Sequence, residues 1–89
     1  MNRIKNYKPT GICPSQITIE LDDNDVIQNV EFRGGCGGNT QGLSSLVKGQ
    51  NAQDVISRLK NIKCGLKNTS CPDQLSSALE GMLDENKNA

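Results

Sequence analysis

Four cysteines, Cys13, Cys36, Cys64 and Cys71, are the residues of this 89-residue chain best suited to chemistry. Four sulfur donors are what tetrahedral zinc or an iron–sulfur cluster requires. There is no histidine, so the commonest general base is missing and hydrolysis by a Cys–His pair is excluded within the chain. Successive cysteines are separated by 22, 27 and 6 residues. No Cys-x-x-Cys knuckle occurs, and spacing alone leaves three readings open. The cysteines converge on one metal site; they are plain buried thiols; or one pair, of which Cys64 and Cys71 are nearest in sequence, cycles between thiol and disulfide.

Ligation needs thiolates, and a thiolate needs a lowered pKa, which helix N-termini and nearby cations supply. Both are expected at Cys71, where a helix opens and where Arg58, Lys60, Lys63 and Lys67 lie just upstream. Gly35 and Gly37, on either side of Cys36, let backbone N–H groups approach a sulfur closely. Ser70 and Asp73 flank Cys71 in the same supporting way. Other chemistry is poorly served. The Gly34–Gly38 run is followed by no Lys-Ser/Thr pair, as a phosphate-binding loop would need. The acidic run Asp22, Asp23, Asp25 lacks the spacing and terminal Glu of a calcium loop and reads as a solvated turn. The lysines from 60 to 67 read as a solvated face rather than an anion site.

The elements that position the cysteines follow from periodicity. Residues 16–21, Gln-Ile-Thr-Ile-Glu-Leu, alternate apolar and polar, which predicts a half-buried strand. Asp22–Asp25 predicts a turn. Residues 26–33 predict the second arm of an antiparallel hairpin, with Val26, Val30 and Phe32 on one face, and residues 3–8 a further strand. Asn39 or Thr40 is expected to cap a helix with Leu43, Leu46 and Val47 on its apolar face and Gly49 as its stop. Asn51 is expected to cap a second helix, with Asp54 in its first turn and a stripe of Val55, Ile56 and Leu59. The last helix opens at Thr69–Asp73, with Pro72 at its first position, Asp73 complementing the dipole, and Leu75, Leu79, Met82 and Leu83 buried. The fold expected is α+β: two or three antiparallel strands with about three helices on one face. One domain over residues 1–84 should leave a frayed polar tail, 85–89. All four cysteines then fall on connections or at a helix start.

Composition limits the function classes. Val, Ile, Leu and Phe supply twenty residues, and there is one Phe, one Tyr and no Trp. The core must therefore be thin and aliphatic, and many domains of this size need a staple. Ten basic residues balance ten acidic ones, so no nucleic-acid footprint and no stacking platform are expected. No stretch approaches the ~20 apolar residues of a membrane span, and a cytoplasmic location follows. In that reducing compartment cysteines serve as ligands or redox thiols rather than structural disulfides.

The segment Asn68-Thr69-Ser70-Cys71-Pro72-Asp73 resembles the signature of the TSCPD domain, in its small, stand-alone, four-cysteine form. The likeness extends to Tyr7-x-Pro9-x-Gly11-x-Cys13 and to Gly34-Gly35-Cys36-x-Gly38-Asn39, so it covers nearly the whole chain. Related domains are appended to vitamin B12-dependent ribonucleotide reductases. The resemblance thus implies an accessory role beside a ribonucleotide reductase or another nucleotide enzyme. Reduction itself requires a large barrel that 89 residues cannot house, and no catalysis by this chain alone is expected. A more distant likeness of layout is to the U-type iron–sulfur cluster scaffolds, whose three cluster cysteines map onto Cys13, Cys36 and Cys71. Those scaffolds carry an aspartate where this chain has Ser15 and a histidine where it has Ser70, and Cys64 has no counterpart. A fourth thiolate in place of labile oxygen and nitrogen donors makes for a more closed site, one that retains zinc or a stable cluster rather than delivering it.

Overall fold

A computed structural model describes residues 2–9, 14–34, 37–62 and 69–87. Three strands, β1 (Arg3–Tyr7), β2 (Gln16–Leu21) and β3 (Ile27–Arg33), form an antiparallel sheet in the order β1-β2-β3. Three helices follow: α1 (Gly37–Val47), α2 (Ala52–Leu59) and α3 (Cys71–Lys87). This is the small α+β fold that the periodicity predicts, with all three expected strands present.

The central strand carries the core. Ile17, Ile19 and Leu21 alternate inward and are fully buried, while Gln16, Thr18 and Glu20 turn to the other face. Against them α3 presents Leu75, Ala78, Leu79 and Met82 at helical spacing, all buried. Val55, Ile56 and Ala52 of α2 and Val47 of α1 complete one aliphatic cluster. The opposite face of the sheet is polar apart from exposed Ile4. There Thr18 Oγ1 donates to Asn6 Oδ1 (2.9 Å) across paired strands, and Asn2 reaches Glu20 (2.7 Å).

The hairpin turn is built by Asp22, whose Oδ1 accepts from the N–H groups of Asn24 (2.8 Å) and Val26 (2.9 Å). Arg3 closes it from β1, with Nη2 donating to the Asp22 carbonyl (2.7 Å) and pairing with Asp25. One expectation fails at this point. A register shift between Glu20 and Leu21 inserts an extra β3 residue, so Ile27, fully buried, joins Val30 on the core face in place of Val26. Period-two reading cannot see a bulge, because one added residue reverses every side chain behind it.

The helices also depart from expectation in detail. α1 begins at Gly37, so Asn39 and Thr40 lie inside it rather than capping it. Its inward face is then Thr40, Leu43, Ser44 and Val47, and Leu46 is left 76% exposed. Gly49, at φ +85, ends the segment as a left-handed C-terminal residue. Asn51 caps α2 as expected, its side chain accepting from the Gln53 N–H (2.9 Å). In α3, Cys71 is the first helical residue and Pro72 the second, where the missing N–H is equally without an intrahelical partner. The helix runs to Lys87, into the polar segment expected to fray.

Because α3 closes the core over β2, Leu79→Ala should lower the unfolding free energy by ~2–5 kcal/mol. Asn51→Ala, which removes only a cap, should lower it by ~1 kcal/mol. Urea titration followed by circular dichroism checks both, and an equal effect of the two changes would contradict this assignment of the core.

Candidate metal-binding end of the fold

Antiparallel register puts the end of β1, the start of β2 and the end of β3 side by side: Tyr7 pairs with Ile17, and Gln16 with Arg33. Two connections leave from that end. Residues 8–15, which include Cys13, join β1 to β2, and residues 34–36, which include Cys36, join β3 to α1. Their described flanks touch. Ser15 donates from N (2.8 Å) and Oγ (3.2 Å) to the Arg33 carbonyl. Gly34, at φ +80, lies against the same Ser15, within 3.8 Å of where its Cβ would be. On either side of residues 10–13, Pro9 and Pro14 are buried and anchor the connection.

The start of α3 reaches the same end. Tyr7 Oη lies 3.4 Å from Gln74 Oε1, at the long limit of a hydrogen bond. Ser70, just ahead of the helix, is its N-cap: its Oγ accepts from the Asp73 N–H (3.2 Å), while its carbonyl takes the first helical bond, from Gln74 (2.9 Å). The same hydroxyl donates to the Ile62 carbonyl (2.6 Å). Asp73 in turn accepts from the Asn61 N–H (2.7 Å) and from Thr69 Oγ1 (2.6 Å). Thr69 Oγ1 also accepts from buried Gln74 (2.9 Å). These bonds clasp the two ends of residues 63–68, the connection that includes Cys64, against the first turn of α3.

Of the expected ligands, Cys71 is described: half-buried, it is the first residue of α3, at the end of the helix dipole that favours an anion. Cys13, Cys36 and Cys64, with Gly35, lie outside the described residues. Gly37 is the first residue of α1, and Ser70 and Asp73 take the clasping roles just given. Among the described residues no three Cys, Asp or Glu side chains gather closely enough to hold a metal ion. The cationic surroundings expected for Cys71 need correction at Lys60. Its Nζ pairs with Glu80 (3.3 Å), nine residues along α3 and so ~13 Å from Cys71 along the axis. Arg58 is exposed on α2. Sequence reading missed the contributions of Thr69, Gln74, Tyr7 and the Ile62 carbonyl. The signal that could have found part of them is the Ser-x-x-Asp spacing of Ser70 and Asp73, a capping-box pattern.

Ser70→Ala removes a cap and orphans a carbonyl in one change, and should cost ~1–3 kcal/mol. Ser70→Thr, which keeps the hydroxyl, should recover most of it in the same urea titration. Failure of threonine to recover any would point to volume rather than hydrogen bonding.

No helix among the described residues is long and apolar enough to cross a membrane. No curated protein and no solved structure matches the chain. A family model described as the TSCPD domain matches residues 2–83. The letters of that name stand here as Thr69-Ser70-Cys71-Pro72-Asp73, at the cap and clasp that open α3, and the match spans nearly the whole length: the chain belongs to the TSCPD domain family.

Proposed function

We propose that this chain is a small metal-binding module in which Cys13, Cys36, Cys64 and Cys71 together hold one zinc ion or one iron–sulfur cluster. The observation that supports the reading is topological. Four segments, each including one of the cysteines, have their described flanks at one end of the sheet, joined by the Ser15–Arg33, Ser70–Ile62 and Asn61–Asp73 hydrogen bonds. The donor set fits the group: four thiols and no histidine suit zinc or iron–sulfur and disfavour harder cations. When bound, the metal would supply a covalent cross-link among distant segments, with folding free energy coupled to binding. The chain's own part is to hold the ligands. Cys71 opens α3, where a helix dipole favours an anionic ligand, and Ser70 and Asp73 hold the described residues on either side of the Cys64 segment.

In the cell we assign the module an accessory role in a reducing, cytoplasmic setting, beside a ribonucleotide reductase or another nucleotide enzyme, in keeping with the family's occurrence on such enzymes. Four thiolates retain a metal better than a mixed donor set, which favours a structural or regulatory site over a cluster carrier. The closeness of Ile62 to Ser70 also favours, as a second reading, a redox pair of Cys64 and Cys71.

Elemental analysis and a visible spectrum on protein purified anaerobically, without a chelating step, separate these readings. One zinc per chain and no colour is the expected result; iron with sulfide and a brown colour would make it a cluster protein. Metal-free protein with four titratable thiols would overturn the metal reading and leave the redox pair. Each single Cys→Ser change should lower the thermal midpoint of the metal-replete protein by ~10 °C or more, as loss of ~2 kcal/mol does in a domain this size. An unchanged midpoint in any of the four would remove that cysteine from the site.

A further inference from the structure

β2 turns its backbone alternately to its two neighbours. Asp22 N–H donates to the Val26 carbonyl (3.0 Å), so the even-numbered residues of β2 face β3. There Glu20 bonds Asn29, Thr18 bonds Glu31 and Gln16 bonds Arg33. The bulge opposite Leu21 leaves Ile27 facing outward instead. Its N–H donates to the Gln50 carbonyl (2.8 Å), and its carbonyl accepts from Gly49 (2.7 Å). Beyond that covered stretch, Val30 and Phe32 turn their N–H and C=O groups to the open edge of the sheet. Those groups have no hydrogen-bond partner among the described residues. Beside them a cleft of about 380 Å³ separates β3 from α1, with Phe32, Gln41 and Ser44 among its lining residues.

An uncovered strand edge with vacant backbone groups is a template for another strand. We infer that a second copy of this chain adds its own β3 to this edge, antiparallel, about a two-fold axis passing through Phe32. Outward-facing residues must meet outward-facing residues, so three centres of symmetry are available. Centring on Glu31 sets that carboxylate directly against itself, which is destabilising. Centring on Val30 drives the second strand into residues 49–51, which already cover Ile27. Centring on Phe32 clears that segment. It places Glu31 of each copy opposite Arg33 of the other, both exposed on the solvent face of the sheet. Two symmetric ion pairs then flank a central aromatic pair, and the cleft receives the incoming edge. On the opposite edge, β1 carries Arg3 and Lys5, and self-pairing centred on Ile4 or Lys5 aligns like charges, while centring on Asn6 forms no ion pair. The dimer is a continuous six-stranded sheet with the helices on one face.

Sedimentation equilibrium of the full chain under reducing conditions tests this, with a complex of twice the 9.6 kDa chain mass expected. Glu31→Arg alone, and Arg33→Glu alone, turn two attractive pairs into two repulsive ones. Each should raise the dimer dissociation constant about tenfold or more, and the combined E31R/R33E variant should restore it. Both positions are exposed, so circular dichroism should show the fold unchanged. A chain that stays monomeric overturns the inference, whether or not another extended peptide adds along β3. So does a dimer indifferent to the single swaps, or a combined variant as weak as either alone.

Discussion

A core with one phenylalanine, one tyrosine and no tryptophan has to be closed by branched and straight aliphatic chains meeting at short range. Everything in this fold depends on one such seam, where Ile17, Ile19 and Leu21 of the central strand lie under Leu75, Leu79 and Met82 of the last helix. Fully burying side chains of this kind is worth ~1.5–3 kcal/mol each before entropy is counted. Once α3 lies over β2, its first turn arrives at the end of the sheet where Tyr7, Gln16 and Arg33 also sit. The described flanks of the connections that include the cysteines meet there as a consequence of core packing.

The family signature takes on physical meaning in that setting. Thr69 and Asp73 bond each other and reach Gln74 and Asn61, respectively. Ser70 caps the helix and holds the Ile62 carbonyl with one hydroxyl. Pro72 occupies a position where an N–H would have no helical acceptor. Four of the five letters therefore hold the helix start and the preceding connection together. Cys71 is the letter for which capping has no use, and its place at the N-terminal end of the helix dipole suits an anionic sulfur.

A domain with so thin a core stands near the limit of independent stability. The proposed tetrathiolate metal and the proposed sheet continued across two copies would both remedy that deficit. They act at different places: one at the end of the sheet where the connections meet, the other along the edge of β3. Neither uses the apolar surface that the core has already consumed.

The amino-acid sequence alone specified the strands, because alternation in Gln16–Leu21 and the Asp22 turn are local facts of side-chain period and backbone preference. It specified α2 and α3 for the same reason, through Asn51, the Ser70–Asp73 spacing and stripes three and four residues apart. It also carried the four cysteines and the lack of histidine on which the proposed metal site is argued. Tertiary structure decided the rest. The bulge beside Ile27 accompanies the pairing of residues 49–51 with the start of β3. The early start of α1 and the exposure of Leu46 follow from which helical face meets β3. Lys60 turns to Glu80, away from Cys71, because α2 and α3 lie alongside each other. These choices depend on contacts between residues far apart in the chain, and periodicity is blind to such contacts because it compares each residue only with its near neighbours.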